Sequence, residues 1–199
     1  MSGRFRRTRG RRRGQALVEF AMFFLILMIM VGGVTDIAGL LNDHTNLEFA
    51  ARTSARTGAV LGNIGYADCP IIGAAQAALT NMPNLTLKQI TIYKADGSNG
   101  QPLNSTYEDI YAGNTTCTVS GGVATYTPAP IQVGWPPASR SEVPFLEDSI
   151  GVRLDYSYQF EFGLVGSGAF SASDYAVMPI SPYAVPSPVI TPTPIHGKK

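Results

Sequence analysis

The 19 residues from Ala16 to Val34, ALVEFAMFFLILMIMVGGV, carry one charge, Glu19, and no other polar side chain. A helix buried in a soluble core normally keeps some polar residues on one face, and from Phe20 to Val34 there are none. At ~1.5 Å per residue the run makes a helix of roughly 28 Å, about the hydrocarbon thickness of a bilayer. Residues 15–35 therefore read as a transmembrane helix in contact with membrane lipid.

Charge sets its orientation. Residues 1–14 hold seven arginines and no acid. Of the chain's 15 basic residues, 8 remain after Gly14, against 14 acidic ones, so the formal net charge of +1 hides an acidic body behind a basic head. A basic cluster beside an apolar run keeps that end cytoplasmic, which puts everything after about Thr35 on the far side of the inner membrane. The acidic body argues against nucleic acid as a partner, since neutralising phosphates needs Lys and Arg.

Both cysteines, Cys69 and Cys117, fall in the extracytoplasmic part. In an oxidising compartment a single pair is most economically a disulfide, with two free thiols as the alternative. Two cysteines and two scattered histidines, His44 and His196, lack metal-ligand spacing, and no cofactor motif is present.

The helical pattern continues past the membrane face. Ile37, Leu40, Leu41, Leu47, Ala51, Ala55, Gly58 and Leu61 recur at steps of three and four, with Asp43, Asn46, Arg52 and Arg56 largely between them. No proline interrupts residues 15–69, so one long helix is expected, stopped by Gly62, Asn63 and Gly65. Asp68 is placed to cap a second, short helix through CPIIGAAQAALTNM. The period then changes to two. LTLKQITIYKADG reads as a strand, with Leu85, Leu87, Gln89, Thr91 and Tyr93 alternating against Thr86, Lys88, Ile90 and Ile92. Residues 96–114 read as a polar loop, TTCTVSGGVATYTP as a hairpin around Gly121-Gly122, and APIQVGWPPASRSEVPF as an irregular surface loop. In SIGVRLDYSYQFEFGLVG, Val152, Leu154, Tyr156, Tyr158, Phe160 and Phe162 alternate with polar residues, a strand with one face for the long helix to cover. A last strand is expected near 169–178, followed by a tail from Pro179 with six prolines in 21 residues. The fold class expected is α+β: a long N-terminal helix packed on a small antiparallel sheet. The parts are 1–14, 15–35, 36–178 and 179–199.

A basic leader ending in Gly14, then Gln15, then Glu19 as the fifth residue after that glycine, then an apolar helix, resembles a type IV prepilin signal. RRRGQALVEFA is similar to the start of TadE-like proteins, the pseudopilins of tight-adherence (Tad/Flp) pilus systems. The likeness extends through AARTSARTGA and suits the late aromatic strand VRLDYSYQF. It implies a pilin-like fold, cleavage by a prepilin peptidase between Gly14 and Gln15, and a mature chain whose new N-terminal amine lies one turn from Glu19. It implies an assembly role for Glu19, opposite the amine of a neighbouring subunit. It implies other pilin-like subunits and the Tad secretion machinery as partners. Gln15 stands where many type IV pilins carry an aromatic, which suits the Tad/Flp branch.

Other readings compete. A secretory signal peptide shares the basic start, but no small-residue cleavage site follows the apolar run. An uncleaved single-pass anchor displaying a binding or sensor domain explains the charge asymmetry equally well. Enzymatic chemistry has little support, as no G-x-S-x-G or S-x-x-K motif organises the serines. DGSNG at 96–100 could open a calcium loop, but the twelfth position is Tyr107 and a turn is the simpler reading.

Overall fold

The computed structural model describes residues 11–80, 82–97, 99–162 and 169–181; most of the expected leader at 1–14 and most of the expected tail at 179–199 lie outside the described residues. Helix α1 runs unbroken from Arg11 to Leu61, 51 residues and roughly 76 Å at the usual helical rise. It ends where the sequence places its stop: Gly62 adopts φ 52, and its N–H bonds the Gly58 carbonyl at 2.9 Å. This left-handed end is open to glycine without a side-chain penalty. A turn leads into α2, Asp68–Leu79.

Among the described residues seven strands follow: β1 Leu85–Lys94, β2 Glu108–Ala112, β3 Thr116–Ser120, β4 Val123–Thr127, β5 Gln132–Val133, β6 Ser149–Tyr158 and β7 Phe170–Pro179. Five form an antiparallel sheet in the order β5-β2-β1-β6-β7, while β3 and β4 make a separate hairpin. Helices α1 and α2 cover one face of the five-stranded sheet, so the α+β expectation holds. The core between the layers combines Leu47, Ala51, Ala55 and Ala59 of α1, Ile71, Ile72 and Ala75 of α2, and Ile90, Ile92, Ile150, Val152 and Leu154 of the sheet. Small residues on the helix side bring the layers close. A Cβ on Gly58 would meet Cδ1 of Ile150 at 2.6 Å and of Ile71 at 2.9 Å.

The structure departs from the sequence reading in several places. The segment 96–114 contains β2, paired with β1 from Gln89↔Ala112 to Tyr93↔Glu108. Its buried positions are Asp109 and Tyr111, an acid and a phenol, so no apolar period marked it. The proline-broken segment supplies β5 and buries Trp135. Strand β1 changes phase at a bulge between Leu87 and Gln89. Beyond it Ile90 and Ile92, opposite Leu154 and Val152, replace Leu85 and Leu87 on the helix-covered face. On α1, Ile37 and Leu41 are exposed although the apolar stripe included them, because at that level the helix meets the domain through Asp36 and Gly39. Asp68 caps nothing: the N-cap position of α2 is Ala67, with no side-chain bond, and Asp68 is buried.

Strand β6 matches its expected alternation but ends at Tyr158, where the Gln159 N–H bonds the Asn84 carbonyl at 2.8 Å. Strand β7 falls where expected. Pro179 is its last residue and Ile180 is buried, with the Ser181 N–H bonded to the Ala59 carbonyl at 3.1 Å, so the described chain stays attached to α1 through Ser181.

The candidate assembly helix and its anchorage

The N-terminal half of α1 is an apolar rod whose large side chains are exposed among the described residues. Leu17, Phe20, Phe23, Leu25, Ile26 and Met30 are all exposed, covering every side of the helix. This helix is the one, among the described residues, long and apolar enough to cross a membrane. Phe20 and Phe24 stack one turn apart, ring centroids 5.9 Å from each other. Glu19 is the acid on this rod. Its Oε1 accepts a hydrogen bond from Gln15 Nε2 at 3.1 Å, an i,i+4 pair on one helix face. Gly14 precedes them inside the same helix with open space where a Cβ would stand. Gly14, Gln15 and Glu19, the three residues singled out in the sequence, thus lie within two turns of one exposed helix.

The rod is fastened to the sheet where it becomes a core helix. Asp36 is buried and its Oδ1 accepts the N–H of Phe162, just past β6, at 3.0 Å. One turn on, a Cβ on Gly39 would meet the Tyr158 hydroxyl at 2.8 Å, so glycine permits the close approach of β6. His44 Nδ1 lies 3.0 Å from Asp174 Oδ2 on β7. The helical histidine is therefore a tie to the sheet edge. Burial raises the Tyr158 hydroxyl above its usual pKa, assisted by the negative charges of Asp43 and Asp36. It stays protonated at neutral pH.

A second fastening lies deeper. Arg140 is fully buried, with Nη2 2.5 Å from Asp68 Oδ1 and 3.4 Å from Asp109 Oδ2, and its guanidinium stands 4.8 Å from the centre of the Trp135 ring. The Tyr111 hydroxyl donates to Asp68 Oδ2 at 2.8 Å. The Gly134 and Trp135 N–H groups donate to Asp109 Oδ1 at 2.9 and 2.8 Å. Two carboxylates share one guanidinium here, and burial with the neighbouring Asp68 charge raises Asp109 to about 6, against the lowering pull of the Trp135 N–H and Arg140. Burial likewise pushes Tyr126, beside the cluster, up to about 12. The group joins α2, β2 and the segment after β5. No pattern could reveal it, because its members are scattered over segments that read as cap, loop and loop. Next to it, Cys69 of α2 and Cys117 of β3 form a disulfide, Cα atoms 5.5 Å apart, that holds the hairpin against the helix.

Among the described residues no group of His, Cys, Asp and Glu is arranged to hold a metal. The Asp96–Gly100 segment forms a turn, its Gly100 N–H bonded to the Asp96 carbonyl at 2.9 Å. The TadE-like protein family model matches residues 14–56, the span from Gly14 through most of the packed half of α1. No curated protein matches the chain, and no solved structure does.

Proposed function

We propose, from the premise that the chain is TadE-like over residues 14–56 and so a protein of Tad pilus systems, that it is a minor pilin or pseudopilin serving initiation or assembly of a Tad/Flp-type pilus. The observation that carries this reading is the Gln15–Glu19 contact at the start of a bare apolar helix. A prepilin peptidase cutting between Gly14 and Gln15 would remove the arginines and leave the rod. Gln15 would then bear an α-ammonium and Glu19 would stand near the helix N-terminus, where a carboxylate is favoured. In a low-dielectric surround an unpaired charge is costly, so amine and carboxylate would pair, within one chain or between neighbours. The role is structural and single-pass, with the sheet domain outside the cytoplasmic membrane and other pilin-like subunits as partners.

One observation favours a second reading, the uncleaved anchor: α1 is already helical across the Gly14–Gln15 bond, which a protease would have to unwind. Mass spectrometry of the N-terminus of the membrane-extracted protein separates the two. A chain starting at Gln15 supports the pilin reading, and one starting at Met1 overturns it in favour of the anchor. A start beyond about residue 35 would overturn both.

A further inference from the structure

The segment Glu142–Glu147, EVPFLE, stands out from the head of the molecule as an apolar tip. The Leu146 N–H bonds the Val143 carbonyl at 2.9 Å, closing a turn with Pro144 second and Phe145 third, and Phe145 has φ 69. The third position of such a turn favours Gly, because a side chain in the left-handed region costs about 1–2 kcal/mol. No contact among the described residues offsets that cost, since Phe145 is 97% exposed. Val143 and Leu146 beside it are 56% and 74% exposed. The base of the tip is firm. Glu142 Oε1 accepts the Asn63 N–H at 2.6 Å, Ser141 and Asp148 exchange hydrogen bonds of 2.9 and 3.0 Å, and Lys94 Nζ lies 2.6 Å from Asp148. A strained, exposed aromatic on a rigid base has the form of a docking element.

The same molecule carries a surface that matches it. An open apolar recess of about 420 Å³ is lined by Thr53, Arg56, Thr57, Val60, Leu61 and Pro70. Arg56 is exposed and makes no ion pair among the described residues. The tip offers Glu147, also exposed and without an ion pair among the described residues. Tip and recess also stand at one level along α1. Glu142 fastens the tip to Asn63, and the recess spans the last turns of the helix, residues 53–61. Copies anchored at equal depth by α1 would present the two surfaces to each other side by side. We propose that Phe145 of one copy enters the Val60 recess of a second copy of this chain, with Glu147 pairing to Arg56. The contact is head-to-tail, so each copy keeps one free tip or recess and can add another. It rests on the membrane-anchored reading for the common level alone.

The test uses full-length protein in membranes, as two separately tagged populations, one bearing Thr57→Cys and the other Leu146→Cys. Oxidation should give a disulfide dimer carrying both tags, roughly tenfold above a control pairing Thr57→Cys with Gln101→Cys. Phe145→Gly on the tip population should lower that yield roughly tenfold while leaving the unfolding midpoint unchanged or higher, because glycine relieves the turn. Glu147→Lys should also lower it, and Arg56→Glu on the recess population should restore it. A mixed dimer no more abundant than the control, or indifferent to Phe145→Gly, overturns the proposal. So does a dimer that forms only when other pilus proteins are present. The cross-link reads the same whichever N-terminus the mass spectrum finds, so the two failures are distinguishable.

Discussion

Arg140 and Asp68, 72 residues apart in sequence, meet at 2.5 Å with neither side chain reaching solvent. Burying a charge is tolerable only with a partner, and here one guanidinium serves two acids. Arg140→Met should therefore strand both Asp68 and Asp109 and cost about 3–5 kcal/mol of stability. Arg140→Lys should recover little, because a point charge replaces a planar fork that also stacks on Trp135. Urea titration in detergent checks both, with Trp135, the chain's one tryptophan, as a fluorescent reporter inside the cluster.

The same cluster gives stability a pH dependence of definite sign. Burial, then the Asp68 charge, raises Asp109 to about 6, above its unfolded value. Its contribution is thus fully present below pH ~4 and is lost as pH rises through about 6. Asn does not titrate, so the stability of wild type relative to Asp109→Asn should fall between pH 4 and 6 and level off above that. Denaturation midpoints of both proteins across that range measure it; a difference that grows with pH would contradict the assignment.

The disulfide closes a loop with a sequence separation of 48. A loop of that size stabilises by on the order of 4 kcal/mol in the chain-entropy account. Replacing both cysteines by Ala should lower the melting temperature by roughly 10 °C and loosen β3–β4 ahead of the main sheet. Calorimetry gives the first and amide exchange the second.

Gly58 sets the spacing between α1 and the core. Gly58→Val would drive methyl groups into Ile150 and Ile71 and should destabilise by about 1–3 kcal/mol, despite the removal of a flexible glycine from the helix. Chemical denaturation is sufficient to see it.

Glu19 lies outside all of these contacts and should behave oppositely. Glu19→Ala should leave membrane insertion and the melting of the head unchanged but abolish most piliation, scored by electron microscopy. Normal piliation in that mutant would remove the assembly role.

What could be read from the sequence was whatever repeated or punctuated. The apolar run, the glycine stop at Gly62, the alternation of β6 and the Gly121-Gly122 hairpin all follow from local rules, and both hairpin glycines adopt positive φ. Hidden features were those in which chemistry replaced periodicity. Strand β2 points an acid and a tyrosine inward, so its pattern looks like that of a loop. The bulge in β1 splices two alternations of opposite phase into one apparently regular strand. Where the bare stretch of α1 ends, the sheet end meets it through Asp36 and Gly39, residues that a hydrophobic template discards. The spacing of Gly14, Gln15 and Glu19 was legible in the sequence, and the Gln15–Glu19 contact is local enough to follow from it, whereas the Arg140 cluster needed the tertiary fold.

Helix α1 has no joint. The same shaft that carries the bare apolar stretch carries the sheet, so the compass bearing of the head is set by residue count along that stretch. One residue inserted in the exposed stretch would swing tip and recess by roughly 100° and lift them ~1.5 Å, while seven would return them nearly to their heading about 10 Å higher. In a ring or filament of such subunits, each head faces wherever its own stem has been wound to point.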